Sequence, residues 1–266
     1  MRAQWKLLRA FWLHDFREAQ SYPLVHFNRA VGLGLMFFLL HGLSELVGDG
    51  MGAGQLGILP FLACGFAAMD LMWTSLGAFT SKLRRHQTTG MLEACLMTGH
   101  SLPALMTAMP TFDLSVSVMR STAIVVLASL FMTPAPDPAA WLYAAFFGAG
   151  GMVLFLAVGL ISAALLLRYK AGDPLNRAMH ISAVVTGGVF MPRTELPAAL
   201  AAAGAWVPIA PVVDGVRLAL AGDGWVELEP VALRLGILVA VASTVALFAV
   251  RAAVRAVLRE GSLAHY

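Results

Sequence analysis

Charge is scarce in this 266-residue chain: Asp, Glu, Lys and Arg make up 12% of it, against 59% hydrophobic residues. A soluble chain of this length would need far more charge to cover its surface, and a mean hydropathy of +0.77 places this one among membrane proteins. Cysteine is nearly absent. Cys64 in an apolar run and Cys95 in a central loop build neither a disulfide framework nor a metal site. No Gly-x-x-x-x-Gly-Lys-(Ser/Thr) occurs, so the chain does not bind ATP through a P-loop, and no His-Glu-x-x-His or Gly-x-Ser-x-Gly motif points to hydrolysis. Ser162 and His180 lie in apolar runs without a surrounding motif, and a nucleophile needs an oriented base. Neither a catalytic residue nor a bound cofactor or metal is expected. Lysine occurs three times against fifteen arginines, and Ala and Gly abound, a composition typical of GC-rich bacteria. The net charge of +3 and the pI near 9.1 come from cations beside apolar runs, which fits the positive-inside bias and not nucleic-acid binding. The first residues carry Arg2, Lys6 and Arg9 but no apolar stretch ending in small residues, so no cleaved signal peptide is expected.

What is present in quantity is apolar sequence of spanning length. A bilayer core takes roughly 20 apolar residues per helix, and six segments qualify: 24–47, 56–80, 104–132, 139–167, 175–192 and 230–252. The fifth is stopped early by Met191-Pro192-Arg193. Ahead of them, Trp5, Leu8, Trp12 and Phe16 share one helical face among Lys6, Arg9 and Arg17, which predicts a basic amphipathic helix over 1–22, lying in the membrane interface or docked on a protein. With the N-terminus inside, fourteen of the eighteen Lys and Arg residues fall on the cytoplasmic side and three outside, with Arg120 within a span. Both ends are therefore expected to be cytoplasmic.

Two connections stand out. Residues 193–229 contain an apolar run, Glu195 to Asp214, broken by Pro197, Gly204, Pro208 and Pro211. Two half-length helices that enter the outer leaflet and return would fit both features, since such backbone is tolerated where protein buries it or water reaches it. A long crooked span plus a loop is the alternative. Residues 81–103 open with Lys82, Arg84 and Arg85 and then place Leu92, Leu96 and Met97 at helical spacing between Gly90 and Gly99, the pattern of a short helix on the basic side. Such a helix suits passing a push from outside the bilayer; a plain solvated loop fits the same residues.

Three charges fall inside spans. Asp70 and Asp113 lie at similar depth, and Arg120 shares a helical face with Asp113 two turns away. Charges at such depth cost several kcal/mol unless paired or wet, and by default mark a functional cavity. A structural ion pair between helices is the competing reading. Two acids cannot both be neutralised by one arginine, so a hydrated path is expected.

Gly90-Met91-Leu92-Glu93-Ala94-Cys95-Leu96-Met97-Thr98 resembles the Gly-Thr-Leu-Glu-x-x-Leu-x-Thr-Pro segment of ABC-2-type membrane permeases, with Met91 in place of Thr and Gly99 in place of Pro. Thr186-Gly187-Gly188-Val189-Phe190-Met191-Pro192-Arg193-Thr194-Glu195-Leu196-Pro197 is similar to that family's Gly-Val-x-x-Pro-x-x-x-Leu-Pro. The stretch Pro208 to Arg217 resembles its Pro-Leu-Thr-Tyr-x-x-(acidic)-x-x-Arg, with Ala210-Pro211 replacing Thr-Tyr, and Tyr169-Lys170-Ala171-Gly172-Asp173-Pro174 resembles its second cytoplasmic turn. The likeness runs from about residue 15 to about 220, in order.

The resemblance implies a single transmembrane domain over 1–266, an all-α polytopic protein of six spans with a re-entrant helical hairpin before the last. It implies a permease subunit of an exporter in the bacterial inner membrane, working as a homodimer among membrane lipids. A separate cytoplasmic ATPase would bind the ATP and Mg and drive a lipid, lipid-linked saccharide or drug-like cargo outward. Gly90, Leu92, Glu93, Leu96, Thr98, Lys170 and Asp173 would meet that ATPase. Asp70, Asp113 and Arg120 would be the intramembrane polar or path residues, and Pro192, Glu195, Pro197, Asp214 and Arg217 the outer gate. A proton-coupled secondary transporter using Asp70 and Asp113, or a membrane scaffold that moves nothing, are the rival readings. Neither has an equivalent of the ordered motifs.

Overall fold

A computed structural model describes residues 2–47, 56–97, 99–169 and 174–260. Among these, all regular structure is helical: α1 (Arg2–Gln20), α2 (Pro23–Val47), α3 (Ile58–Thr88), α4 (Met91–Met97), α5 (Leu102–Ala108), α6 (Thr111–Ser129), α7 (Pro138–Tyr169), α8 (Pro174–Thr186), α9 (Ala198–Gly204), α10 (Ala210–Ala221) and α11 (Trp225–Glu260), with one 3-10 turn at Arg193–Glu195. Among the described residues, four stretches are long and apolar enough to cross a membrane: Ile58–His86, Leu102–Ser129, Pro138–Tyr169 and Trp225–Ala256. The second of these joins α5 to α6 through a single turn at Met109-Pro110. The backbone of α2 is helical for 25 residues, and its apolar portion is described over Gly34–Leu46.

α3 is the axis of the bundle, packed on one side by α6 and on the other by α7, while α11 lies along α7. Small residues let these helices approach. A Cβ at Gly159 of α7 would stand 2.7 Å from the Ser75 carbonyl of α3. Around this contact Met72, Leu76, Leu154 and Phe155 are almost wholly buried, and the same cluster runs on to Phe147, Ile209 and Leu228. Gly215 of α10 abuts the Phe147 ring so closely that any side chain there would overlap it, which seats α10 against α7. Each large buried side chain contributes roughly 1.5–3 kcal/mol where its alternative is water. Between helices already in lipid that drive is absent, so tight packing of small against large residues carries the association.

The fifth apolar segment differs from its sequence-based expectation. α8 has 13 residues, about 20 Å at 1.5 Å per residue, whereas a hydrocarbon core is about 30 Å thick. Gly187-Gly188 ends it, Gly188 with φ +74, a left-handed conformation that glycine adopts without strain. The chain then turns back: a Cβ at Gly204 would run into the Thr186 carbonyl, so α9 packs on the end of α8. α9 has 7 residues and α10 has 12, about 11 and 18 Å, each short of a crossing.

α1 also differs in detail. The residues it buries are Leu7, Phe11 and Asp15, while Trp5 is 70% exposed. Its inner face is thus offset from the Trp5–Trp12–Phe16 stripe, because α5 and α6 supply a wall for it within the same chain. Leu7 and Phe11 join Phe79, Leu83, Leu105 and Met109 in one cluster. Trp12 stacks on Phe16, meets Phe112 edge-on and donates its Nε1–H to Ser115 Oγ at 3.2 Å.

Candidate functional site

Polar groups gather at three levels of the bundle. The first lies where α3 ends in Lys82, Arg84 and Arg85, hereafter the basic end. Lys82 Nζ is 2.7 Å from Asp15 Oδ2 on α1 and 3.4 Å from Asp113 Oδ2 on α6, so one ammonium ties three helices. Lys82 and Asp15 are largely buried, with side chains 13% and 9% exposed. One turn on, Arg85 donates to Glu18 at 2.7 Å, and that hydrogen bond holds the Glu18 carboxyl below its ordinary pKa.

α4 hangs from this end. Gly90 and Gly99, with φ +70 and +83, flank it, and Gly99 N donates to Leu96 O at 3.0 Å. Met91, Cys95 and Leu96 pack against the cluster built from α1, α3, α5, α7 and α11, whereas Met97 is 90% exposed. A seven-residue helix is too short to be stable alone, so α4 owes its shape to that inner face. Of the residues the motif singles out here, Gly90 and Leu96 are in place. Thr98, Lys170 and Asp173 lie outside the described residues, as do the side chains of Leu92 and Glu93.

The second level is mid-helix. Arg120 of α6 reaches Asp70 of α3 with a forked pair of contacts, Nη2 to Oδ1 at 2.5 Å and Nε to Oδ2 at 3.0 Å. Ser117 Oγ donates to the same carboxylate at 3.2 Å, and Ser121 Oγ donates to Ala67 O at 2.9 Å. The charge count behind a hydrated path is therefore corrected. Two cations, not one, serve the two acids, because Asp113 is within reach of Lys82 and leaves Arg120 free for Asp70. Asp113 and Arg120 share a helical face but not a partner. The pair is not sealed, since Arg120 and Asp70 keep 29% and 15% of their side-chain surface exposed. Sequence reasoning took Lys82 only as a cation opening the basic segment and passed over Asp15, Ser117 and Ser121. The signals available were an acid on the buried face of a basic helix and two serines spaced to flank Arg120 on α6.

The third level is at the opposite, far end. Arg193 forms an ion pair with Asp214. Arg217, 6% exposed, spends its guanidinium on backbone: Nε and Nη2 donate to Phe61 O at 3.1 and 2.7 Å, Nη1 to Gly188 O at 2.6 Å, and Nη2 also to Val189 O at 2.8 Å. Its plane lies 3.4 Å from the centroid of the Phe61 ring, an additional cation–π attraction. The Gly188 and Val189 carbonyls are ones the break after α8 leaves without helical partners, whereas Phe61 O, in the first turn of α3, takes the guanidinium on its second lone pair. Pro192 borders this region, while Glu195 and Pro197 are exposed on the connection to α9. Arg193, the partner of Asp214, was not singled out from the sequence.

With this geometry in place, a family model described as ABC-2 type transporter matches residues 4–221. No curated protein matches the chain. The matched range covers all three polar levels and ends with α10.

Proposed function

Since the chain belongs to the ABC-2 type transporter family and is a multi-pass permease component, we propose that it is the membrane half of an ATP-driven exporter. Two copies, each crossing six times, would form a path at their interface, as closed two-fold symmetry favours. In this reading α2 adds a fifth crossing and α8, too short to cross alone, makes the sixth together with the bent segment after it, with α9 and α10 as a re-entrant pair on the outer side. The basic end is cytoplasmic. A separate ATPase supplies the chemistry, and this chain performs none. Its cargo is a lipid, a lipid-linked saccharide or a drug-like molecule.

The observation that carries the proposal is α4: a short helix at the basic end, flanked by two left-handed glycines and packed on α3. A push on it would reach three helices at once through Lys82, Asp15 and Asp113. The proton-coupled alternative is disfavoured because both candidate acids are already engaged by cations of the same chain. Glu93 lies in the motif that resembles the family's coupling segment. Glu93→Ala, assembled with its ATPase in lipid, should insert normally yet lose cargo-stimulated ATP hydrolysis. Stimulation at the wild-type level in that variant would remove α4 from the mechanism.

A further inference from the structure

The far end holds a pocket of about 500 Å³ whose ionisable lining is Arg193, Arg217, Arg234, Asp214 and Asp223. Three guanidiniums against two carboxylates leave it one positive charge in excess. The excess is not spread evenly. Arg193 and Asp214 pair off. Arg217 bonds only to neutral carbonyls, so its charge meets no carboxylate in direct contact. Arg234 and Asp223 have no side-chain partner among the described residues. The one donor already committed to burial without a partner is Arg193 Nη1. A buried guanidinium N–H left unsatisfied is costly, and an acceptor at this pocket would relieve it.

The wall is shaped to keep that donor in place. At Gly188, φ +74, a Cβ would stand 3.1 Å from Arg193 Cγ, so the glycine leaves the arginine stem room to lie across the backbone. Guanidinium groups lining one concave site suit the oxygens of phosphate better than a neutral ligand.

We propose that this pocket binds a phosphate-type anion through Arg193 Nη1 and Arg234, with the buried Arg217 supplying background positive potential. Free phosphate and the phosphate of a lipid headgroup share the required chemistry. The site does not depend on the chain being an exporter.

The test uses the full chain in a phosphate-free maltoside detergent, titrated with inorganic phosphate, with dihexanoyl phosphatidic acid, and with dihexanoylglycerol as the phosphate-free control. Phosphorus line broadening reports the first two, and calorimetry all three. At least one phosphate-bearing probe is expected to bind saturably and the control not to. Binding of phosphatidic acid alone identifies a lipid source, and binding of inorganic phosphate identifies a soluble one. Arg234→Gln should weaken that binding by about tenfold or more, the loss of one charge-assisted donor. Asp223→Asn, which removes an unpaired negative charge, should tighten it, and this variant keeps the test open if the first folds poorly. The proposal is overturned if neither phosphate probe saturates, if the control binds equally, or if the folded variants bind as the wild type does.

Discussion

Removing Arg120 strands Asp70 between α3 and α6. The pair is forked, at 2.5 and 3.0 Å, with Ser117 at 3.2 Å on the same carboxylate. Breaking a fully buried pair costs about 3–5 kcal/mol, because the remaining charge keeps its desolvation penalty. Here the partners retain 29% and 15% of their exposure, so Arg120→Ala belongs at the lower limit, near 3 kcal/mol. Asp70→Asn should cost less, about 1–2 kcal/mol, since a neutral amide still accepts from Ser117 and the stranded arginine can extend toward water. The double variant should cost about 1.5 kcal/mol, half of the loss in Arg120→Ala, giving a coupling energy of about 3 kcal/mol in a cycle of four proteins. Equilibrium unfolding in mixed detergent and SDS, followed by tryptophan fluorescence, reads all four. Single variants within about 0.5 kcal/mol of the wild type, the range of an unremarkable surface change, would show that the pair is hydrated and does not hold the two helices together.

Two further expectations concern the ends of the molecule. Lys82→Met should leave Asp15 and Asp113 facing each other without a cation, lowering stability by about 3 kcal/mol and exposing residues 2–22 to limited proteolysis. A variant as resistant as the wild type would mean that α1 is held by Leu7 and Phe11 alone. Cysteine at Ala202 of α9 should label slowly from the outer side and cysteine at Glu227 rapidly; labelling of position 202 only from the cytoplasm would make this stretch a complete crossing. Gly204 is unsuitable for that probe, because its Cβ would collide with the Thr186 carbonyl.

The parts of the fold that could be read in advance are those governed by one helix at a time. The apolar lengths of α3, α7 and α11 and the amphipathic character of α1 are properties of local composition. What could not be read depends on which helices adjoin. Lys82 is an ordinary juxtamembrane cation until α1 and α6 bring Asp15 and Asp113 to it, and this contact alone changes the charge count for Asp70 and Arg120. The inner face of α1 follows from the wall that α5 and α6 present, not from where its aromatic residues fall. Arg217 was legible as a motif residue, but its role as a ligand for carbonyls was not, because its partners are distant in the chain and carry no side-chain signature.

Arg217 also bears on how the far end can move. One planar group, rigid across its three nitrogens, grips Phe61 at the start of α3 and Gly188 and Val189 beyond α8. A small slide of either segment misaligns several bonds together on a guanidinium buried at 6% exposure. Movement there has no gentle intermediate: α3, α10 and the end of α8 either travel as a single block or the grip releases all at once. Such a latch converts a gradually applied force into a sudden change of shape, and places the compliance of the far end in the connections on either side of α9 and at Gly222, whose φ of +87 marks the turn into α11.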